Sequence, residues 1–88
     1  MAMLKEQKKE YMALMAMGKK HYIEAQSFEL KNNYAKAQEL YKMAMCAYEN
    51  AYNIAKKCND FAQEEANREF RLSKAMYENM IKINSKYK

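Results

Sequence analysis

The side chains best suited to chemistry are one histidine, His21, and two cysteines, Cys46 and Cys58. A Ser-His or Cys-His catalytic pair would have to use His21, yet no nucleophile motif such as GxSxG accompanies it. Its place on the apolar side of a helix predicts a packed or half-buried imidazole. The cysteines do not form a CxxC pair, and with one histidine they cannot supply four zinc ligands, so we expect reduced thiols. Glu65 and Glu69 lack the Glu-x-x-His pattern of a di-iron site and are explained by solvated ion pairs with neighbouring arginines.

The nine methionines raise the possibility of soft-metal binding, because thioethers favour Cu(I). Met12 shares a helix face with Met15, and Met76 shares one with Met80. Methionine also fills cores adaptably and suits surfaces that accept several partner shapes, and we favour that interpretation here. We therefore predict that the chain is not an enzyme and has no catalytic residues, no cofactor and no metal.

Two asparagine-centred breaks divide the chain, at Asn32-Asn33 and at Asn59-Asp60. Asparagine tolerates the left-handed conformation that ends helices, so the first residue of each break suits a C′ position. The second residue suits an N-cap, and Asp60 with Gln63 resembles a capping box. The predicted helices cover residues 4–31, 34–58 and 61–86.

The composition favours an all-α fold, because the chain has no proline and only one glycine for turns. Near-equal helix lengths and two-residue connections predict one domain, 1–88, folded as a three-helix antiparallel up-down-up bundle. Gly18 lies in the middle of helix one, where glycine costs about 1 kcal/mol relative to alanine. We expect it to kink the helix, to split it, or to permit close packing.

Helix two carries a heptad of alternating tyrosines and alanines. Its members are Tyr34, Ala37, Tyr41, Ala44, Tyr48, Ala51, Ala55 and Cys58. Steps of three and four keep them on one helix face, where alanine lets a neighbouring backbone approach closely. Further apolar side chains flank this tyrosine–alanine stripe on both sides, with Leu40, Met43, Ala47 and Ile54 on one flank and Met45 and Tyr52 on the other. Such a helix must be covered from more than one side.

The net charge of +5 invites a nucleic-acid hypothesis, but acidic residues are interleaved with the basic ones throughout. A nucleic-acid footprint would concentrate bases on one face, so we argue against such a partner. The acid-free end, with Lys82, Lys86 and Lys88, is predicted to be a solvated tail. Single-stranded nucleic-acid binding through exposed tyrosines and lysines remains an alternative, and it predicts affinity that falls steeply with salt.

The longest stretch without a charge, Tyr11 to Gly18, is far too short to span a membrane. Lysines and glutamates between residues 5 and 10 interrupt any signal-like apolar run at the amino terminus. We predict a cytoplasmic protein without a membrane span.

Residues 25–44 resemble one helical pair of a tetratricopeptide repeat. The resemblance is carried by Ala25-x-x-Phe28, Asn33-Tyr34-Ala35-Lys36-Ala37 and Leu40-Tyr41-Lys42-x-Ala44. Helix two runs past the point where such a repeat turns, and no proline closes it. The same motif followed by two long helices resembles a microtubule-interacting and trafficking (MIT) domain over residues 11–86. That resemblance implies a three-helix bundle that binds short helical or extended motifs of ESCRT-type tails.

The sequence therefore predicts a module that binds a protein or peptide helix in a groove between helices two and three. The predicted partner-binding residues are Leu40, Lys42, Met43, Ala47, Arg68, Leu72 and Met76. The alternative for these residues is ordinary bundle core. The alternative for the whole chain is a structural subunit that covers its surplus apolar flank by homo-oligomerisation or within a larger assembly.

Overall fold

A computed structural model describes residues 3–86, and it consists of three long helices. They are α1 (Lys5–Leu30), α2 (Tyr34–Lys57) and α3 (Ala62–Lys86). The prediction of an all-α three-helix bundle is confirmed, and each helix boundary lies within one residue of its predicted place. Lys82 and Lys86 belong to α3 rather than to a tail, whereas Lys88 lies outside the described residues. None of the helices in residues 3–86 combines the length and hydropathy needed to cross a membrane.

Both inter-helix connections use the same asparagine-based stop. Asn32 and Asn59 have left-handed backbones, with φ of 63° and 54°. The amide of Asn33 donates to the carbonyl of Phe28 at 2.9 Å, and that of Asp60 donates to the carbonyl of Ala55 at 2.9 Å. These are Schellman motifs, which satisfy carbonyls that a helix end would otherwise leave without partners. The predicted C′ role of both asparagines is confirmed.

The residue after each stop supplies a side-chain acceptor for an amide at the start of the next helix. The Asn33 side chain accepts a hydrogen bond from the amide of Lys36 at 3.3 Å, which is the predicted N-cap of α2. The Asp60 carboxylate accepts from the amide of Ala62 at 2.8 Å and from that of Met3 at 3.4 Å. One acidic side chain thus begins α3 and ties down the segment that leads into α1.

The core is built around the tyrosine–alanine stripe of α2. Six of its eight members are buried, and the end members Tyr34 and Cys58 are half-buried. The row on α3 that faces this stripe contains Ala66, Ser73 and Met80, all fully buried. Because α2 presents alanine at every second stripe position, both neighbouring helices pack closely along it.

Gly18 lies in a continuous helix and is buried. Of the three outcomes expected for it, the structure shows close packing. A Cβ atom built on Gly18 would lie 2.7–2.8 Å from three ring atoms of Tyr48. Glycine at this position therefore lets the Tyr48 ring lie directly against the α1 backbone.

Helices α1 and α3 pack along α2, but within residues 3–86 their backbones seldom approach one another. The molecule is elongated, with Cα extents of 48 × 17 × 13 Å. The tyrosine rings of α2 occupy the space between α1 and α3. A cleft is left between residues 15–23 of α1 and 65–69 of α3. Closer to the start of α3 the two helices are joined, because the Tyr11 hydroxyl donates to the carbonyl of Ala62 at 3.1 Å.

Candidate functional site

The structure does not bring the seven predicted partner-binding residues together in one groove. Leu40 is buried in a core cluster with Ala25, Tyr41 and Met80, and Met76 is half-buried against the same cluster. The bundle-core alternative therefore applies to these two residues.

Three more of the predicted residues, Lys42, Met43 and Ala47, lie beside α1 rather than α3. They line a depression of about 320 Å³, which we call the α1–α2 depression. Helix α1 contributes Leu14, Met17 and His21, and α2 contributes Lys42, Met43, Cys46, Ala47 and Asn50.

The last two predicted residues, Arg68 and Leu72, are exposed on α3. Arg68 lines a cleft of about 510 Å³ between α1 and α3, which we call the α1–α3 cleft. Leu72, 47% exposed, follows Arg68 by one helical turn and so lies on the same face. Of the seven predicted residues only Arg68 lines this cleft, whose other wall is α1, whereas the sequence suggested a groove between helices two and three.

The α1–α3 cleft has an apolar floor and charged rims. Met15, Ala16, Tyr22 and Ile23 of α1, with Tyr48 of α2, supply the apolar surface. Lys19 of α1 and Glu65, Arg68 and Glu69 of α3 supply the charges. Volumes of this size fall within the range of about 300–1,000 Å³ that is typical of ligand sites.

Burial raises the pKa of four tyrosines, two of which, Tyr22 and Tyr48, line this cleft. Burial raises the pKa of Tyr48 from 10.0 to about 12, and the negative charge of Glu69 adds to that effect. Burial likewise raises the pKa of Tyr11 to about 12, with further contributions from Glu65 and Asp60. The pKa of Tyr41 is raised by burial and by its hydrogen bond to Glu29.

These shifts predict a loss of stability in alkali. The folded-state pKa of Tyr11 and of Tyr48 lies above the unfolded value of 10.0, so the unfolded chain releases its protons first. The stabilisation is complete below pH 10 and declines as the pH rises towards about 12. Denaturant unfolding at several pH values measures the free energy of unfolding, and tyrosinate absorbance followed in parallel measures tyrosine ionisation. In the double variant Tyr11→Phe/Tyr48→Phe the decline should be shallower, and an unchanged slope would contradict the assignment.

The outer side of α1 is basic and free of acidic residues. At about 100° per residue, one side of this helix carries its lysines together with exposed apolar residues. The lysines are Lys5, Lys8, Lys9, Lys19 and Lys20, and the apolar residues are Met12, Ile23 and Leu30. The four glutamates of α1 fall outside this side. Lysines and glutamates are interleaved along the sequence of α1, but the helix places them on different sides.

The remaining sequence predictions concern His21, the cysteines and the tyrosines. His21 is half-buried, and its Nδ1 atom lies 3.4 Å from Glu24 Oε1. Cys46 is an exposed free thiol and Cys58 a half-buried one. No tyrosine within residues 3–86 is exposed, so this part of the chain lacks the exposed tyrosine rings that the nucleic-acid alternative requires. Within the same residues, no three His, Cys, Asp or Glu side chains are grouped as a metal site.

No protein-family model, curated protein or solved structure matches this chain. The resemblance to MIT domains therefore stays a prediction that rests on the residues that suggested it. The α1–α3 cleft and the α1–α2 depression are the surface features of residues 3–86 on which a function can be proposed.

Proposed function

We propose that this protein is a non-enzymatic interaction module that holds a short helix of a partner protein in the α1–α3 cleft. One observation carries the proposal: α1 and α3 pack against α2 but leave an apolar furrow between themselves. A partner helix laid in this furrow would complete a four-helix arrangement. It would cover Met15, Ala16 and Ile23, as amphipathic helices do in hydrophobic grooves.

The charges around the cleft indicate what the partner helix should look like. Lys19 stands on the α1 rim, and the outer side of α1 extends this positive charge along the helix. The α3 rim is mixed, because Glu65 and Glu69 flank Arg68. We infer an amphipathic helix with acidic residues towards α1 and a basic residue towards α3. Such complementarity sets orientation and association rate more than affinity.

The MIT-like segment supports the same class of ligand. MIT domains bind short helical or extended motifs, and residues 25–44 carry the resemblance. In this chain that segment includes Ala25 and Tyr41, which are fully buried and build the core beside the cleft. The resemblance therefore supports a helical ligand, while its buried residues belong to the scaffold beside the cleft.

A displayed library of amphipathic helical peptides with varied charge tests the proposal. We expect selected binders to be acidic on one edge, and the amide resonances that shift on binding should include those of Tyr22, Ile23 and Arg68. Ile23→Glu should weaken the binding of the selected peptides about tenfold or more, because it would put a charge on the apolar α1 wall that the peptide covers.

Ile81→Glu is the matched control. Ile23 and Ile81 are both exposed isoleucines, at 54% and 40%, but Ile81 lies on α3 away from the residues that line the cleft. The control should bind like the parent protein. A library that yields no binder, or equal weakening by both substitutions, would refute the proposal.

The second candidate is self-association, and the end of the bundle near the α2–α3 connection favours it. Phe61 and Leu4 are 90% and 71% exposed. The Met3 amide donates a hydrogen bond to the Asp60 carboxylate, and Leu4 and Phe61 are the residues that follow Met3 and Asp60. Light scattering over a range of concentrations separates the candidates: a stable monomer favours the peptide-binding module, whereas a dimer that Phe61→Ser dissolves would favour a structural subunit.

A further inference from the structure

The α1–α2 depression collects four side chains whose donor atoms are soft or borderline metal ligands. Met17 and His21 come from α1, and Met43 and Cys46 come from α2. Thioether sulfur, thiolate sulfur and imidazole nitrogen together are typical of Cu(I) coordination. The depression does not take part in the α1–α3 cleft, so the inference is independent of the proposed function.

The spacing explains why these four side chains line one depression. Met17 and His21 are four residues apart, and Met43 and Cys46 are three apart, so each pair lies on one face of its helix. The antiparallel packing of α1 on α2 then sets the two pairs beside one another. Along the sequence the pairs are separated by a complete inter-helix connection.

The two sulfur types in the depression are available to a ligand. Cys46 is an exposed free thiol. Met17 and Met43 are 50% and 44% exposed, so they are not simply filling the core. Unbranched methionine side chains can turn about three bonds, which lets both thioethers reorient towards an ion.

The imidazole of His21 leaves one nitrogen without a protein partner within residues 3–86. Its Nδ1 atom is buried and has no hydrogen-bond partner among the described residues. The carboxylate oxygen Glu24 Oε1 lies 3.4 Å away, within ion-pair distance but without the geometry of a hydrogen bond. A buried polar atom of this kind calls for a partner, and a bound ion is one that would satisfy it.

We propose that the α1–α2 depression binds Cu(I) through Cys46 and His21, with Met17 and Met43 as thioether ligands. Binding forms a Cu–S bond, and the Cys46 thiol releases its proton to solvent. Neither copper nor protein changes oxidation state. The Cu(I)–thiolate unit is neutral, so it is compatible with the nearby ammonium group of Lys42. Zinc is disfavoured because it takes four nitrogen, oxygen or thiolate ligands, and thioethers are not among them.

Competition with a chromophoric Cu(I) chelator under anaerobic, reducing conditions tests the site. The full chain should retain one Cu(I) ion. Cys46→Ser should weaken Cu(I) affinity by more than the roughly 10–100-fold that loss of an outer-sphere partner causes, and Met43→Leu should weaken it about tenfold. Circular dichroism of each variant confirms that the helices are intact.

Two matched controls test whether the loss of Cu(I) affinity is specific to residues of the α1–α2 depression. Cys58→Ser removes the other thiol, and Met12→Leu removes an exposed methionine of α1 that does not line the depression. Both should bind Cu(I) like the parent protein. Equal weakening by Cys46→Ser and Cys58→Ser, no retained copper, or equally tight binding of Zn(II) would each overturn the proposal.

Discussion

Replacing Tyr41 by alanine is expected to lower the free energy of unfolding by about 3–5 kcal/mol, the range seen when a large core aromatic is truncated. Tyr41 is fully buried in the cluster that contains Ala25, Leu40 and Met80. Its ring packs edge-on against Tyr22 with centroids 5.3 Å apart. Such a loss is a large part of the stability of a small domain, about 5–15 kcal/mol. Chemical denaturation followed by circular dichroism measures it.

Two further variants separate packing from hydrogen bonding at this position. The Tyr41 hydroxyl donates to the carboxylate oxygen Glu29 Oε1 at 2.7 Å, so Tyr41→Phe removes only that bond and should cost about 1.5–3 kcal/mol, the range for hydrogen bonds to charged groups. Tyr52→Ala truncates a half-buried tyrosine of the same helix and should cost less than Tyr41→Ala. If Tyr41→Ala were no more destabilising than Tyr52→Ala, the ring would not be the centre of this cluster.

Gly18→Ala is also expected to change stability strongly. It should destabilise the protein, although alanine has the higher helix propensity. Alanine is better than glycine in a helix interior by about 1 kcal/mol. Here the added Cβ would lie 2.7–2.8 Å from the Tyr48 ring, and Tyr48 is only 3% exposed, so the ring has little room to move. Overpacking of this kind costs about 1–3 kcal/mol and should outweigh the gain in propensity. We expect Gly18→Ala to lower the melting temperature.

A double-mutant cycle gives this prediction a sharper form. In a Tyr48→Ala background the ring that the Cβ meets is gone, so Gly18→Ala should become stabilising by about 1 kcal/mol. Reversal of sign between the two backgrounds would establish the contact. Stabilisation by Gly18→Ala in the parent protein would show that the Tyr48 ring yields without cost.

The helix boundaries were predictable because their signals are local. Asn32 and Asn59 adopt the left-handed backbone that asparagine tolerates, and Asn33 and Asp60 place acceptors at the next helix starts. Each signal acts within a few residues. The rest of the fold was not needed to recognise them.

The tyrosine–alanine stripe was equally predictable, because heptad spacing fixes which residues share a face whatever packs against it. The order of the neighbours around that face was not. A three-helix bundle can be left-handed or right-handed. The two arrangements differ in which flank of the central helix lies beside the first helix and which lies beside the third. Met43 and Ala47 therefore lie beside α1, although the sequence suggested α3.

Three helices, their ends and the buried stripe follow from local sequence, since they depend on backbone preferences and on the side-chain period along one chain. The contact of the Tyr48 ring with Gly18 and the cleft between α1 and α3 arise only when the helices pack together. The same is true of the depression that His21 and Cys46 share. These features depend on which helix faces meet and on the axial register in which the helices pack. That choice is made by packing between segments that are distant along the chain, so no local pattern of residues specifies it.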